Sequence, residues 1–188
     1  AWVPPRQQHV VSGTRRPTSP RGNPSAGSAM KPWGLASAAA DVRVWHYDPA
    51  ADEVEPGVLT APTPTILHPH GGHIANCVRW DHTGTLLGSC GDDGRVQITH
   101  VGQQETVSLQ PDDSRSPINS FGFSSGSGYL CSGAADGVVR VWDLKQRRAL
   151  QRFDDHQGCA VTSVSFSSND AHVASGNAAG DVLIHGLV

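Results

Sequence analysis

Charged residues are scarce in this sequence: only 16% of its 188 residues are Asp, Glu, Lys or Arg, and it holds one methionine and two tyrosines. No apolar run approaches the roughly 20 residues that a membrane-spanning helix needs, so no membrane partner is expected. The N-terminal region has no h-region of the kind a secretory signal carries. The four cysteines, Cys77, Cys90, Cys131 and Cys159, form no CxxC pair. Their neighbours read as buried strand positions or a loop, so we expect reduced core thiols in an intracellular protein. Acid is missing from residues 1–40, which carry Arg6, Arg15, Arg16, Arg21 and Lys31. The remainder is left with nine basic residues against 17 acidic ones. A folded surface of that sign repels phosphate backbones, which argues against a nucleic-acid partner. Glycine (21) and proline (13) are plentiful instead, a mix that favours short strands joined by tight turns.

The composition changes near residue 33. Residues 1–32 are rich in Pro, Arg, Ser and Gly and have almost no branched apolar side chains. They cannot bury enough surface to offset their ordering entropy, so the expectation is a disordered tail followed by a folded region at 33–188. Within the tail, Arg15-Arg16-Pro17-Thr18-Ser19-Pro20 has the form of a phosphorylation site, but such strings are common in solvated tails. Met30, the only methionine, stands just before the folded region and suits a natural start.

A repeat dominates from residue 35 onward. Shifting the run Val78–Thr99 by 43 and then 86 residues aligns it with two further copies without a gap. Val78 falls on Phe121 and Val164, Trp80 on Phe123 and Phe166, Ser89 on Ser132 and Ser175, and Gly94 on Gly137 and Gly180. Val96 falls on Val139 and Val182, and Ile98 on Val141 and Ile184. Apolar residues alternate within each copy, the period of a strand packed on one face. Asp93-Gly94 and Asp136-Gly137 supply the positive φ of a tight hairpin.

The spacing predicts antiparallel strands near 76–81, 86–90, 95–100, 118–123, 129–133, 138–142, 161–166, 172–176 and 181–185. Outer strands are expected at 106–109 and 149–153. Phe121, Phe123, Val139, Val141, Val164 and Phe166 are expected to be buried between sheets. An earlier half-copy, Leu35–Ser37 followed by Asp41–Trp45, supplies only second and third strands, and a Pro-rich insertion follows within Pro49–Pro69.

Four short strands every 43 residues, with Val139-Arg140-Val141-Trp142-Asp143 closing a third strand, resemble the WD40 repeat. The fold this implies is all-β: an incomplete β-propeller, about half a ring, an open arc of four-stranded blades. WD40 rings usually close with about seven blades of ~40–45 residues, so the chain reads as a fragment of a longer protein. The resemblance also implies a structural hydrogen-bonded set of His, Ser or Thr, Asp and Trp. The first full copy offers His73, Ser89 and Asp93, with Thr99 in place of Trp. The second offers Ser132, Asp136 and Trp142, with no His in Pro111–Pro117. The third offers His156 and Ser175, with Ala179 and His185 replacing Asp and Trp.

Other local strings carry less chemistry than they first suggest. His68-Pro69-His70-Gly71-Gly72-His73 could bind a metal, but Gly-His before a first strand is what the repeat requires. Ser124–Gly128 has the form of a phosphate-cradling loop, yet no helix follows it, so it reads as a hairpin turn. Asp154-Asp155-His156 has no nucleophile beside it. No catalytic, cofactor or metal site is expected.

The ending VASGNAAGDVLIHGLV, with His185 where Trp is customary, and the opening MKPWGLASAAADVRVW are similar to the family of WD40 adaptors that target the γ-tubulin ring complex to centrosomes and spindles. That resemblance implies a cytoplasmic, cytoskeletal scaffold with a localising propeller. It also implies a helical C-terminal region that captures γ-tubulin complexes, which these residues do not include. Two other readings stand beside it: a generic WD40 scaffold of ubiquitin-ligase or RNA-processing complexes, and an enzymatic propeller, which would gather acids or metal ligands at inward positions that are apolar or small here. Partners of a scaffold are expected on the rim formed by His68–His73, Pro111–Pro117 and Asp154–Cys159. Asp112, Asp113, Arg115, Asp154 and Asp155 make that rim mostly acidic and suited to a basic segment.

Overall fold

The computed structural model describes residues 10–13, 33–47, 64–103, 105–111 and 114–187, and these contain strands and turns without a helix. The strands form four antiparallel sheets. The first contains β1 (Val10–Gly13), β2 (Trp33–Ala38), β3 (Val42–Tyr47) and β4 (Thr65–Leu67). The second contains β5 (Ala75–Trp80), β6 (Leu86–Gly91), β7 (Val96–His100) and β8 (Glu105–Leu109). The third contains β9 (Ile118–Phe123), β10 (Tyr129–Ala134), β11 (Val139–Asp143) and β12 (Arg148–Phe153). The fourth contains β13 (Val161–Phe166), β14 (His172–Asn177) and β15 (Val182–Gly186). Each sheet is a meander, and the first strands of the second, third and fourth sheets pack on the sheet before them, so the architecture is an incomplete β-propeller and the sheets are its blades.

The strands expected from the 43-residue register are found within one or two residues of their predicted bounds. The register holds because period-two alternation puts each apolar set on one face, and a slip of one residue would turn it to the other. Val96 and Ile98 join Cys77 and Cys90 on the blade-two face that meets Ile118 and Phe121 of blade three. Val139 and Val141 repeat that position against Val161 and Val164 of blade four. Val182 and Ile184 occupy it a third time and are about 70% exposed.

Close contact between blades depends on missing side chains. A Cβ built on Gly88 would lie 2.5 Å from Phe121 Cε2, and one on Gly133 would meet Val161 Cγ1 and lie 2.8 Å from Val164 Cγ1.

Two expectations need correction. The disordered tail assigned to residues 1–32 is interrupted by β1, which pairs with β2, while the rest of that stretch, including Met30 and the Arg-Arg-Pro-Thr-Ser-Pro string, lies outside the described residues. Val11 stands opposite Ser37 as Val78 stands opposite Ser89, so β1 fills the inner position that the half-copy lacked. Pairing is made by main-chain groups along an otherwise bare strand edge, and composition does not report it. Phe123 and Phe166 are half-buried, whereas Phe121, Val139, Val141 and Val164 are buried. Both phenylalanines end an inner strand, and Phe123 reaches the core by an edge-to-face contact with Phe121 at 5.7 Å.

Candidate protein-interaction rim

The loops that lead into blades two, three and four and the turns between the second and third strands of these blades alternate along one rim. Asp92 N donates to Ile74 O, Ala135 N to Pro117 O and Ala178 N to Ala160 O, tying each turn to the loop before its own blade. Gly94 and Gly137, both at positive φ, then abut Arg115 and Gly158 on the loop of the following blade. No residue with a Cβ fits either place, which explains the repeated Asp-Gly.

Beneath this rim blades two, three and four each keep a buried serine with a different set of partners. In blade two His70, not His73, fills the histidine position. His70 Nδ1 lies 2.9 Å from Asp93 Oδ1 and His70 Nε2 lies 2.9 Å from Ser89 Oγ. A carboxylate only accepts, so Nδ1 carries the proton, and in the neutral imidazole Nε2 accepts the Ser89 hydroxyl. His73 is exposed and joins no side-chain set. Gly71 and Gly72, at φ +59° and +94°, turn the chain between the two histidines and carry His73 away from the sheet. The repeat register contained this answer, because His156 shifted back by 86 residues falls on His70.

Blade three has no histidine. Trp142 Nε1 donates to Ser132 Oγ at 2.8 Å, and Asp136 accepts from Ser114 Oγ at 2.7 Å. Ser114 thus occupies the side of the acid that His70 occupies in blade two. Sequence reasoning missed it because a serine in a polar loop carries no signal of its own.

Blade four keeps His156 Nε2 at 2.7 Å from Ser175 Oγ, and His185 Nε2 reaches the same hydroxyl at 3.4 Å. His185 stands at the Trp142 position, stacks on Phe153 with centroids 4.3 Å apart, and faces Asp155 Oδ2 at 3.5 Å. Burial lowers its pKa from the usual 6.5; Asp155 acts in the opposite sense and His156 reinforces the burial. The turn acid is replaced by Ala179, and Asn177 compensates in part. Its Oδ1 accepts from Asp181 N at 2.9 Å, the amide position that Asp93 and Asp136 cap at Arg95 and Val138.

His156 Nδ1 gains nothing from this exchange and is buried without a hydrogen-bond partner. We expect Ala179→Asp to stabilise the chain by about 1–2 kcal/mol by supplying the missing acceptor. Urea unfolding checks this: an unchanged or lower midpoint would mean the new carboxylate does not reach the imidazole.

On the opposite rim, Asp81 accepts from Thr83, Thr85, Leu86 and, across blades, Ser127 Oγ at 3.2 Å. Burial opposes its ionisation, but the bonds from Thr83, Leu86 and Ser127 prevail and hold its pKa below the usual value. The Ser124–Gly128 loop is a turn, and the amide and hydroxyl of Ser125 are both engaged by the Asp170 carboxylate.

The acidic rim residues are only partly described. Asp112 and Asp113 lie outside the described residues, and Arg115 is exposed. Asp154 and Asp155 have side chains 70% and 63% exposed, with Arg152 Nη1 3.8 Å from Asp154 Oδ2. An open cleft of about 470 Å³ is lined by Asp155, Gln157, Asp181, Val182 and Leu183, among others. Sequence reasoning overlooked Asp181, whose turn position is Arg95 and Val138 in the other copies.

The WD domain, G-beta repeat family matches residues 63–99, 105–143 and 147–184, and the chain belongs to the WD40 family. Each matched stretch begins at the outer strand of one blade and supplies the three inner strands of the next. Proteins of this class serve as interaction scaffolds, and WD40 repeats generally mediate protein–protein contacts. No curated protein matches the chain.

Proposed function

We propose that this chain is a non-catalytic docking platform whose acidic rim receives a basic segment of a partner protein. Within that role it is the localising propeller of an adaptor for γ-tubulin complexes in microtubule nucleation and spindle assembly, acting at centrosomes and spindles. The observation that carries the docking role is a division of labour among polar residues. His70, Asp93, Ser132, Asp136, His156 and Ser175 are engaged inside the blades, whereas the exposed Asp155 and Asp181 line an open cleft and Asp154 stands exposed next to Asp155 in the chain. The exposed carboxylates of Asp155 and Asp181, which share the cleft with Val182 and Leu183, suit a lysine or arginine flanked by an apolar residue. The adaptor reading rests on the similarity of the opening MKPWGLASAAADVRVW and the ending VASGNAAGDVLIHGLV to that family.

Reversing Asp112, Asp113, Asp154 and Asp155 to lysine in the full-length adaptor tests both levels. The expected result is loss of recruitment to spindle poles with an unchanged melting curve. Normal localisation of the folded variant would remove the rim as the docking surface. A wild-type pull-down that enriches another assembly, with no γ-tubulin complex component, would instead assign the rim to a different scaffold.

A further inference from the structure

Cys77 and Cys90 are direct cross-strand partners in the β5–β6 ladder, their side chains on the blade-two face that packs against blade three. The repeat plan does not ask for them. The same pair of positions is Ser120–Gly133 in blade three and Ser163–Gly176 in blade four, so neither copy carries a thiol there. Directly opposed residues of an antiparallel pair have Cα atoms about 4.5–5.5 Å apart, inside the ~4.4–6.8 Å window that a disulfide spans. The two thiols are unlike each other. Cys77 keeps 6% of its surface and Cys90 none. A hydrogen bond from Cys90 favours the Cys77 thiolate against its burial, and Arg79 adds a favourable charge, whereas burial holds Cys90 protonated.

We propose that Cys77 and Cys90 form a peroxide-responsive dithiol that closes to a disulfide across blade two, with Cys77 as the attacking sulfur. The Cys77 thiolate attacks one oxygen of hydrogen peroxide, the O–O bond breaks, and hydroxide leaves and is protonated to water. The resulting sulfenic acid is then attacked by the Cys90 sulfur as its thiol loses a proton. The S–S bond forms, the S–O bond breaks, and a second water departs. Two thiols are oxidised by two electrons and one peroxide is reduced to two waters. The site is separate from the rim, and its reading is independent of any docking partner.

The test exposes the whole 188-residue protein to hydrogen peroxide under native conditions. Remaining thiols are alkylated after denaturation and the peptides are mapped by mass. The expected product is one disulfide joining the peptides of Cys77 and Cys90, two hydrogens lighter, with Cys131 still alkylated. Cys131 serves as the internal reference because burial raises its pKa to about 12. In Cys90→Ser, which keeps a hydrogen-bond donor opposite Cys77 but cannot close the disulfide, Cys77 should be trapped by dimedone as a sulfenic acid. Its reaction should be at least about tenfold faster than that of Cys131. Recovery of Cys77 and Cys90 as free thiols after exposure that oxidises Cys159 would overturn the proposal. So would disulfides to Cys159 instead, or equal reactivity of Cys77 and Cys131 in the variant. If Cys90→Ser fails to fold, the wild-type map alone decides.

Discussion

Replacing Phe121 with alanine is expected to lower the free energy of unfolding by about 3–5 kcal/mol, read as a shift in the urea midpoint. The ring is fully buried and bridges the cores of blades two and three. It also fills the space that a side chain at Gly88 would need, since a Cβ there would lie 2.5 Å from Phe121 Cε2 and 2.7 Å from Cζ. Gly88→Ala alone should therefore cost about 1–3 kcal/mol. In the Phe121→Ala background the same change should cost much less, because the obstructing ring has gone. The double-mutant cycle should show a coupling of about 1–2 kcal/mol. Strictly additive losses would show that the two positions do not meet. Phe123→Ala should cost roughly 1–2 kcal/mol, because its half-buried ring gives up less area.

Removing the imidazole of His70 should cost about 2–4 kcal/mol, since two buried hydrogen bonds are lost together and Asp93 and Ser89 are left facing a void. His73→Ala should stay within about 0.5 kcal/mol, the usual range for an exposed side chain with no special contact. Paired chemical-denaturation curves separate the two. Equal losses, or a larger loss at His73, would return the structural role to His73 and undo the correction made from the geometry.

The strands of blades two to four were legible because each copy repeats the same alternation at a fixed interval, and an apolar side chain reports which face is buried. The polar sets were half legible. Ser89, Ser132 and Ser175 could be read from the register alone, but their partners could not, because each blade satisfies its serine with a different residue. Blade two uses His70, blade three uses Trp142, and blade four uses His156 and His185. His70 was within reach of the 86-residue shift; proximity to the strand favoured His73, and two positive-φ glycines defeated that choice. Asn177 was not within reach, because it reaches the turn amide from a position that is Gly91 and Ala134 in the other copies. The inner strand of blade one was hidden for a different reason. Val10–Gly13 is four residues long, too short for alternation to show, and what places it is a ladder of main-chain bonds.

The offset between repeat and blade makes neighbouring units interdependent in the manner of a woven hem. The stretch matched at 147–184 contains β12, so excising that stretch would not lift out blade four cleanly. It would also strip the outer strand from blade three and leave the main-chain donors and acceptors of Val139–Asp143 bare along that edge. Loss of a whole repeat therefore wounds two blades, and splice or cleavage points that respect the repeat boundary still cut through a sheet. Intact blades would be preserved by cuts in the loops leading into a first strand, such as the turn at Asp154–Cys159, and it is there that the chain divides into self-contained sheets.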